Sequence, residues 1–372
     1  TGPILTRAAH EGSADQRMKT QGVVLAGATV QKTRNMGLVL RPEYQHVKVS
    51  SDIAAAINRR FFFFDGTTRR GVAKAVEDDY VEVELHPRYE GSLGRYVAVL
   101  RAIAIDERKA NSQSRLKKLA TMLSDPTTAA DAALQLEALG ESAIPTLTAG
   151  LRSDNPELRF YAAEALAYLD RRDAIAALAD SIANESAFRY PALLAMRGLD
   201  HPEVVDALAG LFNQPSIESR YGSFVALRKR NDSAFALSPQ QLGESLRYYQ
   251  IESTAPPAIV VSTRDEAEVV VFGTPSPVKI DGAILGPNAL IIKPEPTDAN
   301  KIRISRFQVG KDDRRTIVPA TIRGLIDGIL AIGGDYADVV EILRDAKSKP
   351  VSYTHLRAHE TRYTIAYAVF WL

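Results

Sequence analysis

The chain is 372 residues long, 45% hydrophobic and formally +1, which suits two or three domains with real cores and gives no net charge that would draw a polyanion such as nucleic acid. It contains no cysteine, which excludes disulfides, zinc–thiolate sites and a cysteine nucleophile while leaving the compartment open. No run approaches the ~18 consecutive apolar residues of a membrane-spanning helix, and no Walker-type loop, dinucleotide fingerprint or HExxH pattern gives catalysis or a cofactor a framework.

Thr1 opens the chain without a basic-then-apolar leader, which reads as a missing natural start. Residues 22–27 and 37–40 read as short strands, the second ended by Pro42. Ser50 or Ser51 can cap a helix running through Arg60, with Ile53, Ala54, Ile57 and Phe61 at helical spacing. Gly66 and Gly71 mark a loop. Residues 80–85 then alternate strictly, burying one face and placing Glu82 and Glu84 on the other, ~7 Å apart by strand rise. Residues 93–105 read as a second helix with Leu93, Val97, Leu100 and Ala104 on one side, so the first stretch is a compact α+β unit. Residues 109–118 are polar and read as a linker.

An Arg followed by an aromatic then returns about every 30 residues, at Arg159-Phe160, Arg189-Tyr190 and Arg220-Tyr221, with apolar helical runs at 174–182 and 204–212 between them. A weaker copy occupies 129–151. The run Asp154-Asn155-Pro156-Glu157-Leu158-Arg159 and the Ala/Leu-rich helix after it resemble HEAT-type repeats, which implies a stack of helix pairs over about 119–232. Residues 235–252 read as a transition, and Pro256-Pro257 returns the chain to strands. Residues 258–261 and 268–273 form a hairpin signature around Arg264-Asp265-Glu266, 289–292 and 301–304 add strands, and 321–332 and 336–347 close the chain with two helices. Residues 351–372 resemble translated sequencing-adapter DNA and read as a non-native tail, which sets aside the metal-like spacing of His355, His359 and Glu360.

Residues 37–42, the helix ending Ala56-Ile57-Asn58, residues 71–75 and 80–83, and then 258–273, 288–292 and the closing helix pair resemble the flagellar basal-body P-ring protein. The resemblance implies an α+β class in which one discontinuous P-ring-like domain, residues 1–108 and 251–350, is interrupted by an all-α HEAT-like solenoid at 109–250. It further implies a periplasmic, non-enzymatic subunit of a homo-oligomeric ring, closed by heterologous contacts around the flagellar rod and meeting outer-ring proteins and peptidoglycan. The alternative, from another class, is a helical-repeat protein-binding adaptor unrelated to ring formation. No cofactor, metal or nucleic acid is expected in either case.

Several side chains invite a role. Arg159, Arg189 and Arg220 could form a ladder for acidic groups, or each could pair with an Asp or Asn at a neighbouring turn such as Asp154. Tyr161, Tyr190 and Tyr221, with Phe160, could stack a ligand or pack between helices. Phe62 and Phe63 belong to four consecutive aromatics that cannot all face one core, so part of that run could be a subunit contact. His86, beside Glu84, could be imagined as a general acid or base, but nothing partners it, and it reads as an exposed loop histidine. Glu82 and Glu84 could be paired carboxylates or a solvated strand face.

Overall fold

The computed structural model describes residues 2–6, 20–27, 34–105, 109–230, 237–244, 246–280, 282–308, 310, 312–348 and 367–371. The chain divides into two compact units, one of residues 1–31, 212–217 and 236–372, the other of residues 32–211 and 218–235. In the first, strands β1 (Ile4–Thr6) and β2 (Gly22–Val24) pair antiparallel.

The second unit begins with an α/β module. Strands β3 (Met36–Val39), β6 (Ala73–Ala75) and β7 (Tyr80–Val83) make an antiparallel sheet in the order β3-β7-β6, with Val81 and Val83 turned inward by the alternation read from sequence. Helix α1 (Val47–Arg60) starts earlier than the serines suggest, because His46 caps it: its Nδ1 accepts from the Lys48 amide at 3.0 Å. Asn58 locks this helix to the sheet, accepting from the Ala73 amide at 2.7 Å and donating to the Ala73 carbonyl at 2.8 Å. The expected loop is a hairpin of β4 (Phe62–Asp65) and β5 (Thr68–Gly71), turned at Gly66, whose φ of 63° suits glycine. Helix α2 (Leu93–Ala102) buries Tyr96 and Val99, whereas Leu93, placed on its inner side by the sequence reading, is exposed.

The helical array follows directly. Residues 109–118, expected as a linker, are the first turns of α3 (Lys109–Leu123). Then come α4 (Ala129–Leu139), α5 (Ile144–Gly150), α6 (Pro156–Tyr168), α7 (Ile175–Asn184), α8 (Arg189–Gly198), α9 (Glu203–Gly210) and α10 (Ile217–Arg228). Helices α4, α6 and α8 lie side by side, and α3, α5, α7 and α9 pack behind them, as expected for stacked helix pairs. The layers differ in kind. Helix α7 keeps a polar side, but α6 is buried continuously from Ala162 to Tyr168, two full turns without an exposed face. Such a helix needs cover on both sides. The back layer supplies one, and the α/β module supplies the other, since α2 packs on α4 and the 3-10 turn Pro87–Tyr89 packs on α8.

The rest of the first unit is built from two sheets and a helix pair. Strands β8 (Gln240–Leu242), β9 (Leu246–Ile251), β10 (Ala258–Ser262), β11 (Glu268–Phe272) and a strand at Tyr367–Trp371 order as Tyr367–Trp371, β10, β11, β9, β8, with β9 parallel to β11. The supposed transition at 235–252 therefore contains an interior strand. Strands β12 (Ile284–Leu285), β13 (Leu290–Glu295), β14 (Asp298–Arg306) and β15 (Arg314–Pro319) form a second antiparallel sheet, the first and last of them unforeseen. Helices α11 (Ile322–Ala331) and α12 (Tyr336–Ser348) complete a core that includes Val261, Val269, Ile292, Ile304, Leu325 and Val339, and Leu5 and Leu25 join it. The chain is thus a mixed α and β protein with helical repeats. Its flanks do not make one compact body divided by an insertion: residues 32–105 group with the repeats, while 258–347 close a core with the N-terminal strands. Residues 351–366, including His355, His359 and Glu360, lie outside the described residues.

Candidate binding site

The module meets the repeats through buried charge. Glu137 on α4 is fully buried and Glu164 on α6 nearly so. Arg95 on α2 reaches both: its Nε and Nη2 donate to Glu137 at 3.0 and 2.5 Å, and its Nη1 pairs with Glu164 at 2.5 Å. The Tyr89 hydroxyl also donates to Glu137. Arg60, at the end of α1, donates from Nε to the Glu137 carbonyl at 2.8 Å and from Nη2 to the Tyr168 carbonyl at 3.4 Å, placing a cation at the C-terminal ends of α4 and α6. Aromatic rings wall the cluster, Tyr89 stacked on Tyr168 at 4.5 Å and Phe61 edge-on to Tyr96 at 4.9 Å. Two carboxylates share one guanidinium here. Burial accordingly holds the Glu164 carboxyl above its ordinary range despite Arg95, and burial followed by the nearby Glu137 raises Tyr89.

Beside this cluster opens a cavity of about 830 Å³ lined by Arg59, Arg60, Arg69, Arg88 and Arg115, with Phe62, Phe64 and His86. It lies where helices end. Arg69 donates to the Asn58 and Arg59 carbonyls at 3.2 and 3.1 Å, closing α1, and Arg115 donates to the Ala102 carbonyl at 3.0 Å, closing α2. Arg59 reaches the Ile105 carbonyl at 3.4 Å. Of the lining arginines Arg88 pairs with a carboxylate, that of Asp170, at 2.8 Å. Asp170 sits at φ 60° after α6 and also accepts from the Asp200 amide at 3.1 Å, linking one repeat turn to the next. Sharing His86 and Arg88, a second cavity of about 440 Å³ continues toward Arg197, Lys229 and Arg230, and Arg230 caps α8 through the Met196 and Arg197 carbonyls at 3.0 and 3.2 Å.

The sequence candidates fall mostly elsewhere. Arg159 bonds the Ser153 and Asp154 carbonyls at 2.9 Å each, with the Asp180 carboxylate at 3.7 Å, and Arg189 bonds the Ile182 carbonyl at 3.0 Å. Arg220 is fully buried. Arg159 and Arg189 are thus engaged by turn and helix-end carbonyls. The Tyr161 hydroxyl donates to Glu157, and Phe160 stacks on Phe188 at 4.4 Å; Tyr190 is partly exposed and Tyr221 is buried beside Phe224. Phe61 is core, Phe62 and Phe63 are half-buried under Arg69 and Arg70, and Phe64 is 67% exposed. His86 is not an exposed loop residue: it is partly buried, its Nε2 at 3.3 Å from the Phe62 carbonyl and its Nδ1 at 3.3 Å from the Arg88 amide. Desolvation, with Arg88 next, lowers its pKa to about 4, so the ring is neutral. Glu82 and Glu84 take separate partners, Asn35 and Arg70. Arg59, Arg69, Arg88, Arg95, Glu137 and Glu164 were all missed; the usable signal was an acid embedded among the alanines and leucines of each of two helices.

A family model of HEAT repeats matches residues 113–197, from within α3 to the end of α8. No curated protein matches the chain. Among solved structures, a chain in the complex of CpcE and CpcF of phycocyanin lyase from Nostoc sp. PCC7120 is similar at 24% identity, over 31% of this chain and 77% of that one, with a TM-score of 0.26. The P-ring reading is overturned. What a family model recognises is the helical repeat, and the flanks that suggested a ring subunit belong to different compact units. With that reading go the ring, the rod and outer-ring partners and peptidoglycan. Short strands and a helix ending Ala-Ile-Asn carried the resemblance, and here Asn58 answers a local need, the pairing of α1 to β6.

Proposed function

We propose that this chain is a helical-repeat adaptor that binds a partner polypeptide along the groove between its α/β module and its HEAT-like array, acting by binding alone. The observation that carries this is the array itself: a repeat stack of a class that presents extended surfaces, already holding a folded module against its front layer and leaving an open cavity of about 830 Å³ beside that contact. The groove is poor ground for chemistry, because both ring nitrogens of its histidine lie against backbone groups.

The test is selection of a displayed random-peptide library on the whole chain, followed by hydrogen-exchange footprinting with the enriched peptides. Enriched peptides that protect amides in α1, the β4–β5 hairpin and the ends of α4 and α6 support the adaptor. A selection without enrichment, or footprints confined to residues 240–348, would remove it.

A further inference from the structure

Resting on that adaptor reading, we infer that the groove takes an extended acidic segment of the partner polypeptide, read by Arg59 and Arg69 beside Phe64. The groove comprises two adjacent cavities, of about 830 and 440 Å³, that share His86 and Arg88 in their lining. Eight cationic side chains line it against four carboxylates, in a protein whose net charge is only +1. Positive charge is therefore concentrated here.

The form of that charge matters. Arg59, Arg60 and Arg69 have no carboxylate within ion-pair distance among the described residues; each is held by backbone carbonyls. A helix end, where Arg60 and Arg69 are held, offers about half a unit of negative charge, and the Ile105 carbonyl that holds Arg59 carries no formal charge. A guanidinium anchored there keeps net positive charge and free N–H donors, already ordered for a carboxylate to meet. Arg60 is committed inward to Glu137 and Tyr168, which leaves Arg59 and Arg69 as the readers. Arg69 is further fixed by lying 3.7 Å over the Phe62 ring, and the exposed Phe64 next to it offers an apolar contact of the kind a peptide side chain uses.

A uniformly charged polymer fits less well. Glu90 and Glu141 stand among the cations and would repel a phosphate at regular intervals, whereas a peptide of mixed charge can place neutral or basic residues there.

The experiment uses the whole chain and fluorescence anisotropy with labelled peptides of ~12 residues, which reach roughly 40 Å when extended. One alternates Glu and Ser, a second alternates Gln and Ser, and an oligothymidylate of similar length is the third probe. The Glu–Ser peptide is expected to bind tighter than the Gln–Ser peptide, to lose affinity about tenfold between ~20 and ~200 mM salt, and to lose at least about tenfold in Arg59→Gln/Arg69→Gln. Because Arg69 also closes α1, a second variant guards against misfolding: Glu141→Gln, on an exposed turn, should tighten the Glu–Ser peptide about twofold to threefold. Equal binding of the two peptides, an unchanged affinity in both variants, or preference for the oligothymidylate would overturn the assignment. Selected peptides that protect the groove without acidic enrichment would sink this assignment alone and leave the adaptor standing.

Discussion

Replacing Arg95 by methionine should unfasten the module from the repeats. The side chain is 11% exposed and is the cation between Glu137 and Glu164, so the change strands two buried carboxylates with the Tyr89 hydroxyl as a remaining donor. Breaking a buried pair by removing one partner costs about 3–5 kcal/mol. An independent limit comes from protonation: holding one glutamate neutral at pH 7, against an unfolded value near 4.3, costs ~3.7 kcal/mol at 1.36 kcal/mol per pH unit. The two routes agree on about 4 kcal/mol. They also fix a sign. Glu164 is already pushed up by burial, and losing Arg95 removes what opposed it, so the folded state holds a proton that the unfolded state has released. Stability of the variant must then rise as pH falls, and at pH 5 the same bookkeeping leaves a cost of ~1 kcal/mol. Because the chain has two compact units, native-state hydrogen exchange of α2, α4 and α6 is a better assay than one global melt. Arg95→Met/Glu137→Gln/Glu164→Leu, which retains an acceptor for Tyr89 and removes both charges, should return to within about 1 kcal/mol of the parent. A loss below ~1 kcal/mol in the single variant, or a loss indifferent to pH between 7 and 5, would refute the reasoning.

Three other outcomes follow from the same structure. His86 is neutral when folded, with its pKa at about 4, so the stability it preserves is complete above ~6.5 and is lost as pH falls toward 4. Discounted for its partial exposure this amounts to about 1–2 kcal/mol, and an NMR titration of the imidazole with a midpoint above 6 would contradict it. Within the aromatic run, Phe61→Ala should cost ~3–5 kcal/mol while Phe64→Ser stays within ~0.5 kcal/mol, a contrast that urea unfolding resolves and that equal effects would refute. Tyr336→Phe removes a hydroxyl proton shared by the Ser262 and Glu268 carbonyls at 2.6 and 2.9 Å; a loss of ~1–2 kcal/mol is expected in exchange of residues 258–272, with α4 and α6 unchanged.

The periodic parts of this chain were legible because periodicity is a local property. The arginine-aromatic repeat and the alanine-rich runs gave helix pairs, and strict alternation gave Val81 and Val83 their inward direction. Residues 109–118 misled because α3 opens with polar and charged residues, so nothing apolar marks its first turns as helix. Strand β9 hid for another reason: Tyr248, Tyr249 and Ile251 are buried but interrupted by Arg247 and Gln250, a pattern that fits a strand and a loop equally well. The site was invisible as a site. Arg59, Arg69, Arg88 and Arg115 are widely spaced in sequence, and what joins them is the convergence of helix C-termini. The P-ring resemblance failed at the same level, since short local pieces carried it, while residues 32–105 and 258–347 belong to different compact units.

That packing also accounts for why the groove has a definite shape. Apolar contact between module and array is tolerant of small slips, because a leucine gains nearly as much against one methyl group as against another. The Arg95 contacts are not. A shift of α2 by one turn along α4 would part the guanidinium from Glu137 and Glu164 and leave buried charge unpaired, at about 3–5 kcal/mol. The net stabilisation from such a cluster is small, yet every misaligned docking carries the full penalty, so alignment is fixed where stability alone would not fix it. Arg60 extends the same control outward, since it holds the ends of α4 and α6 and lines the groove that Arg59 and Arg69 also face. A weakened cluster should therefore blur ligand selectivity before it unfolds the unit. In Glu164→Gln, which eases the excess negative charge while keeping the side chain's shape, the ratio of Glu–Ser to Gln–Ser peptide affinity should be retained, whereas Arg95→Met at pH 5, still folded, should lower it several-fold. An undiminished ratio in Arg95→Met would show that the groove is shaped by the repeats alone.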